Sequence, residues 1–444
     1  MKKWLLPVVL LASLLALLLI GCGGGSTTTD VSTAAVVKSM VVVGFNELGM
    51  HCMNKDFSKL MILPPFNTLR AQVIRRGEDP QIVKSGVTVN YTVPTSTHSA
   101  DKTNFWTYAQ QLLGMALAPN IGLGGKGLSG TMDVRADGRY EAIGIPMTPI
   151  TDAGKLNPYQ LANISVKAGG VTTAATRAVL PVSWEISCNL CHKAADGTDM
   201  DILRTHDRLH GTALAKSKPV ACGSCHQQPP LVGVLGTGNP ALPTLSRAMH
   251  GSHANRMAAA GLAVSCYACH PGVKTQCLRD VHKAKGMDCL DCHGSMTAVA
   301  SPTRKPWVSE PTCGSCHRKA GFQFEQPGKL FKESRGHNGV FCTTCHNTPH
   351  AIVPTTTIAD NVQNTGLQGY PGTLNKCTVC HINQPDEAFN HTLGGGSSSA
   401  PVAAGAKPRR RGAASASEGN HCQLVPMKPR LGGAFSCPRR TIEA

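Results

Sequence analysis

Residues 266–293 read CYACHPGVKTQCLRDVHKAKGMDCLDCH, and the pattern repeated at the two ends of this stretch decides how the chain is read. Cys266, Cys269 and His270 open it, and Cys289, Cys292 and His293 close it. The same Cys-x-x-Cys-His spacing recurs on both sides. Upstream lie Cys188, Cys191 and His192, then Cys222, Cys225 and His226. Downstream lie Cys313, Cys316 and His317, then Cys342, Cys345 and His346, then Cys377, Cys380 and His381. The seven copies use 14 of the 19 Cys of a 444-residue chain. The surrounding segment, 188–391, carries only eight Phe, Trp or Tyr and no sustained helical or strand period. Its own side chains cannot supply a core, so another material must fill the interior.

The motif spacing has a mechanical reason. Two thiols three residues apart can add across the two vinyl groups on one edge of a porphyrin, and the next residue then sets an imidazole beneath the iron. Zinc is the rival, because Cys-x-x-Cys is also half of a zinc ribbon. Zinc half-sites must pair, seven is odd, and zinc does not require His after every second Cys. The expected cofactors are therefore seven covalently attached haem c groups, packed closely enough to form both the core and a chain of redox centres. The net charge of +17 fits this reading. Part of it belongs to the two termini, and two propionates on each haem outweigh what remains, so nucleic acid is not an expected partner.

Distal ligands separate an electron carrier from an enzyme. Eleven of the 18 His lie outside the motifs. Of these, His206, His210, His250, His253, His282, His337, His350 and His391 fall within 188–391 and are the candidate second axial ligands. His210-Gly211 and His250-Gly251 precede motifs, and Gly permits close backbone approach. His51 and His98 are expected in core or surface roles. Iron held by two imidazoles has no site for substrate, so no catalytic residue is expected. The remaining thiols Cys52, Cys277, Cys422 and Cys437 are disulfide candidates, Cys52 with Cys277 and Cys422 with Cys437.

Outside the motif region the chain divides further. Lys2 and Lys3 precede an apolar run, Leu5 to Ile20, too short for a membrane span. Leu19-Ile20-Gly21-Cys22 resembles the lipobox of bacterial lipoproteins, which implies a signal peptide over 1–21 and acylation of Cys22. Residues 22–40 read as a flexible tether. Residues 41–187 are expected to form an all-β, sandwich-like domain. Its signals are the strand Val87–Val93, a hairpin over 131–145 turning at Ala136-Asp137-Gly138, and two short strands over 171–186. Asn104–Leu117 reads as a helix covering a sheet face. The fold class expected for 188–391 is a multihaem cytochrome c domain with short helices and little regular secondary structure. Residues 392–444, with Arg409-Arg410-Arg411, read as a disordered basic tail.

The segments NELGMHC (46–52), HDRLHGT (206–212), CYACHPGVKTQCLR (266–279) and SRGHNGVFCTTCHNTPHA (334–351) resemble multihaem c-type cytochrome lipoproteins of metal-reducing bacteria. The resemblance spans roughly 44–391. It implies electron transport from periplasmic or membrane donors to extracellular acceptors such as Fe(III) or Mn(IV) oxides. It also implies a lipid anchor in the outer membrane, facing the periplasm or the cell surface. Other cytochromes or an outer-membrane porin–cytochrome conduit are the expected partners. Two alternatives stand beside this: a terminal reductase with one open haem, acting on nitrite, a sulfur oxyanion or a soluble metal, and a subunit of a polymeric cytochrome filament.

Overall fold

The computed structural model describes residues 39–228, 231, 238–261, 265–317 and 324–386. The signal segment, Cys22, most of the tether, His391 and the basic tail lie outside the described residues. Those described all belong to one compact unit, Lys38–Ala444. Among them no helix is long and apolar enough to cross a membrane.

Strands dominate the first part. In chain order they are β1 (Met40–Asn46), β2 (His51–Cys52), β3 (Leu60–Met61), β4 (Asn67–Arg75), β5 (Gln81–Ile82) and β6 (Thr88–Thr92). There follow β7 (Ser129–Thr131), β8 (Asp133–Val134), β9 (Tyr140–Ile145), β10 (Tyr159–Ala168) and β11 (Val171–Ser183). One five-stranded sheet runs β1-β4-β9-β8, with β5 also on β4, and the other runs β2-β11-β10-β6-β7. The two sheets enclose one core. Leu69, Ala71 and Val73 of β4 and Ala142 of β9 share it with Ala162, Ile164 and Val166 of β10 and Ala178 of β11. Gly44 lies tightly against the facing sheet: a Cβ there would strike the Ile164 Cδ1 and sit 3.0 Å from the Ala178 Cβ. Helix α1 (Phe105–Leu113) is shorter than the stretch read from sequence; it buries Phe105, Ala109 and Leu112, of which Phe105 and Leu112 join this core.

The hairpin turning at 136–138 is present, with Val134 opposite Tyr140. The expectation of two short strands over 171–186 is corrected: β11 is one strand of 13 residues. Its first half is Thr- and Ala-rich, and it holds together because ten residue pairs tie it to β10. The small inward residues Ala174 and Ala178 leave room for the facing sheet.

Helices α2 (Thr198–His210) and α3 (Leu245–Ala259) are the longest before residue 300 in the Cys-rich part. Gly211 closes α2 with a left-handed backbone (φ 64°), as a helix C-terminus favours. Between 282 and 340 the only buried residue described is Ser334. Protein side chains give that stretch no core, in line with its composition.

The sandwich is the platform on which the Cys-rich part lies. Strand β4 is buried along eight of its nine residues, on both faces. Leu69, Ala71 and Val73 point inward, while Arg70 and Gln72 point outward and are covered. Arg70 pairs with Glu47 (3.1 Å), Glu141 (2.7 Å) and Glu333 (3.3 Å). Gln72 accepts from the Phe341 N–H (2.9 Å) and the Thr344 hydroxyl (2.6 Å).

Candidate functional site: seven turns and their facing imidazoles

Each motif folds as a single helical turn. Those at Cys188–Leu190, Cys222–Ser224, Ser265–Ala268, Cys313–Ser315 and Cys377–Val379 are 3-10 turns; those at Cys289–His293 and Cys342–His346 are α-helical. In the five 3-10 turns the His N–H donates to the first Cys carbonyl at 2.8–2.9 Å. Positions i, i+3 and i+4 of such a turn share one face. Both thiols and the imidazole are thereby presented together, which is the local result that the spacing predicts.

The opposite side of each imidazole was not legible in advance. His192 faces His253 with ring centroids 6.5 Å apart. His226 faces His206 at 6.3 Å, and His270 faces His250 at 6.1 Å. His293 faces His350 at 5.9 Å, His317 faces His282 at 6.0 Å, and His381 faces His337 at 5.9 Å. Two imidazoles bound through Nε2 on opposite sides of one metal ion, about 2.0–2.1 Å from it, have ring centroids about 6.3 Å apart. Six motifs thus hold a second imidazole at the span that a single iron requires.

In six of these twelve rings Nδ1 is occupied, which leaves Nε2 as the remaining donor atom, whereas the buried His350 Nδ1 has no hydrogen-bond partner. Nδ1 of His226 lies 2.8 Å from the Pro243 carbonyl, and that of His381 lies 2.8 Å from the Glu78 carbonyl. On α3, His250 and His253 each aim Nδ1 at the carbonyl four residues back, both at 2.7 Å. His206 Nδ1 meets the Thr212 hydroxyl at 2.9 Å, and His282 Nδ1 meets Asp280 at 3.2 Å. Such contacts fix tautomer and ring orientation at metal-bound His. Comparison with family models, curated proteins and solved structures returned no match. The case for this site therefore rests on its geometry and its sequence.

Two further features mark His350 and His337 among the facing imidazoles. His350 (φ 67°) and His337 (φ 23°) both have backbone φ in the left-handed range, where a non-glycine residue is strained. Local strain of this kind collects at functional sites. Burial pushes the His350 pKa down to about 4, with His293 adding to the effect. Its imidazole is therefore neutral at neutral pH, the form that binds metal.

Among the remaining candidates, His210 stands 4.8 Å from His206 on the same helix, and it is His206 that reaches His226. His346 lies 6.3 Å from the Phe331 ring and 3.5 Å from the Thr373 hydroxyl. His51 is buried, and burial lowers its pKa to about 4 against the pull of Glu47. His98 sits at the surface between Asp101 and Asp152. Cys52 and Cys277 are free thiols within electrostatic reach of one another; Cys422 and Cys437 lie outside the described residues.

Sequence reasoning missed the residues that position the facing imidazoles. Arg279 and Asp360 form a fully buried ion pair, Nε to Oδ2 2.6 Å and Nη2 to Oδ1 2.9 Å. The Arg279 N–H donates to the His350 carbonyl (3.0 Å) and the Val281 N–H to the Ile352 carbonyl (3.0 Å). This short ladder holds the segment carrying His350 against the segment that leads into His282. The far end of β4 holds the last motif: Arg76 donates to the Thr378 carbonyl at 2.7 Å, and Gly77 bridges to His381. An Arg–Asp pair separated by 81 residues carries no sequence signal, whereas Gly77-Glu78 beside a strand end could have been flagged only as a turn.

Proposed function

We propose that this chain is an exported, lipid-anchored heptahaem c-type cytochrome that carries electrons and is not itself an enzyme. The observation that carries this reading is the set of six motif imidazoles, each faced by another imidazole at 5.9–6.5 Å. When bound, haem supplies a reversible one-electron iron couple. The chain does the rest. Seven pairs of thiols tether the porphyrins, and the motif His residues give the proximal nitrogen. His253, His206, His250, His350, His282 and His337 give the distal nitrogen for the first, second, third, fourth, fifth and seventh motifs respectively. Backbone carbonyls hold Nδ1 of His250 and His253, Thr212 that of His206 and Asp280 that of His282, so that these four rings cannot turn away. At these six motifs both axial positions would be filled by nitrogen, leaving no place for a substrate and a potential low relative to Met-ligated iron, and His391, the candidate beyond the described residues, would serve the sixth. Extracellular metal oxides are the proposed final acceptors, reached directly or through partner cytochromes or a porin–cytochrome conduit.

The test is the optical spectrum of dithionite-reduced protein before and after carbon monoxide. An unchanged spectrum is the expected result. A shift of about one haem in seven would replace the carrier by a reductase with one open iron.

A further inference from the structure

The motifs are not merely crowded together; each touches particular others. Helix α2 joins the first two. Its Thr198 hydroxyl donates to the His192 carbonyl (3.2 Å), its Asp201 lies 3.7 Å from His192 Nδ1, and its His206 faces His226. Helix α3 joins the first and third, because His253 faces His192 while His250, one turn away, faces His270. The Ser187 N–H donates to the Ala268 carbonyl at 3.1 Å, and Cys188 lies within electrostatic reach of Cys269.

The third motif meets the fourth through α3: Gly251, next to His250, lies against the segment that follows the fourth motif, where a Cβ on it would sit 3.8 Å from the Ala300 Cβ. The fourth and fifth share the Arg279–Val281 ladder, which holds the segment carrying His350 against the segment that leads into His282, with Cys292 near Cys316. Glu325 joins the fifth and sixth: it accepts from the Cys313 and Gly314 N–H groups and lies within electrostatic reach of Cys342. The sixth and seventh meet where the Leu374 N–H donates to the Cys345 carbonyl (2.9 Å) and where Cys345 is near Cys380.

We infer that the seven irons lie in single file, in the motif order Cys222, Cys188, Cys266, Cys289, Cys313, Cys342, Cys377. Sequence order is kept except at one end, where the first two motifs exchange places because His253 of α3 faces His192 while His250 of the same helix faces His270. The inference rests on the heptahaem reading and adds direction to it. The two terminal haems, at Cys222/Cys225 and Cys377/Cys380, are where an electron is taken up and given off. Each internal step oxidises one ferrous iron and reduces its ferric neighbour, with no atom transferred. The haem at Cys289/Cys292 is the midpoint through which every electron passes.

The test is an iron-resolved structure of the natively expressed holoprotein, by cryo-electron microscopy or diffraction at the iron edge. The expected result is seven irons in an unbranched file with those two haems at its ends. Seven irons in another order, or a branch at Cys188/Cys191 or Cys289/Cys292, would overturn the inference and leave the carrier standing. Fewer than seven covalent haems would overturn the heptahaem reading, and this inference with it.

Discussion

His206 and His210 stand one turn apart on α2, about 6 Å along the axis, and only one can serve His226. His206 has its ring 6.3 Å from His226 and its Nδ1 2.9 Å from the Thr212 hydroxyl. His210 has its ring 4.8 Å from His206. Replacing His206 by Ala should therefore open one iron in seven. In the reduced variant, roughly one seventh of the haem absorbance should shift on addition of carbon monoxide. Added imidazole should reverse the shift by refilling the position. Replacing His210 by Ala should open none. Removal of an exposed helical side chain should also change stability by no more than about 0.5 kcal/mol. The two variants are compared by carbon monoxide difference spectra at equal haem content. Carbon monoxide binding in His210→Ala but not in His206→Ala would refute the assignment, and so would binding in neither.

Three other perturbations probe the scaffold. Asp360→Leu leaves Arg279 charged in a fully buried site and should cost about 3–5 kcal/mol; the double change with Arg279→Leu should recover most of that in urea unfolding, and equal losses for both proteins would show that the ion pair is not the anchor. Burial opposes ionisation of Glu47, yet Arg70 and Lys332 hold its pKa at about 2. Its carboxylate thus adds stability above the ordinary Glu pKa that is lost as the pH falls towards 2. Relative to Glu47→Gln, the wild type should be more stable at pH 7 by at most about 3 kcal/mol and equally stable near pH 2, and a gap that grows in acid would contradict this. Gly44→Ala forces a methyl between the sheets and should cost about 1–3 kcal/mol in thermal unfolding while haem content stays unchanged; a neutral effect would mean that the sheets are less tightly opposed at this point.

What could be read in advance was local. The motif turns follow from spacing, since the i, i+3 and i+4 positions of one turn share a face. The β character of the first part follows from its β-branched runs. What could not be read was pairing. His250 and His253 are three residues apart, yet they face motifs at opposite ends of a long stretch of chain, and His350, just after the sixth motif, faces the fourth. Only the ladder of residues 279–281 against 350–352 explains that crossing. Strand β4 was obscured for a related reason. Arg70 and Gln72 resemble solvent-facing residues, but the Cys-rich part covers them, so a strand buried on both faces carries a half-polar pattern. In β11, the Thr and Ala run lacks the bulky alternation of a long strand, and its length is set by β10.

The most direct test of the proposed chemistry is the intact mass of natively expressed protein together with its pyridine haemochrome spectrum. A mass exceeding that of the polypeptide by seven haems, with a c-type spectrum of matching intensity, is the expected result. A bare polypeptide mass, bound zinc in place of iron, or fewer than seven covalent haems would contradict it.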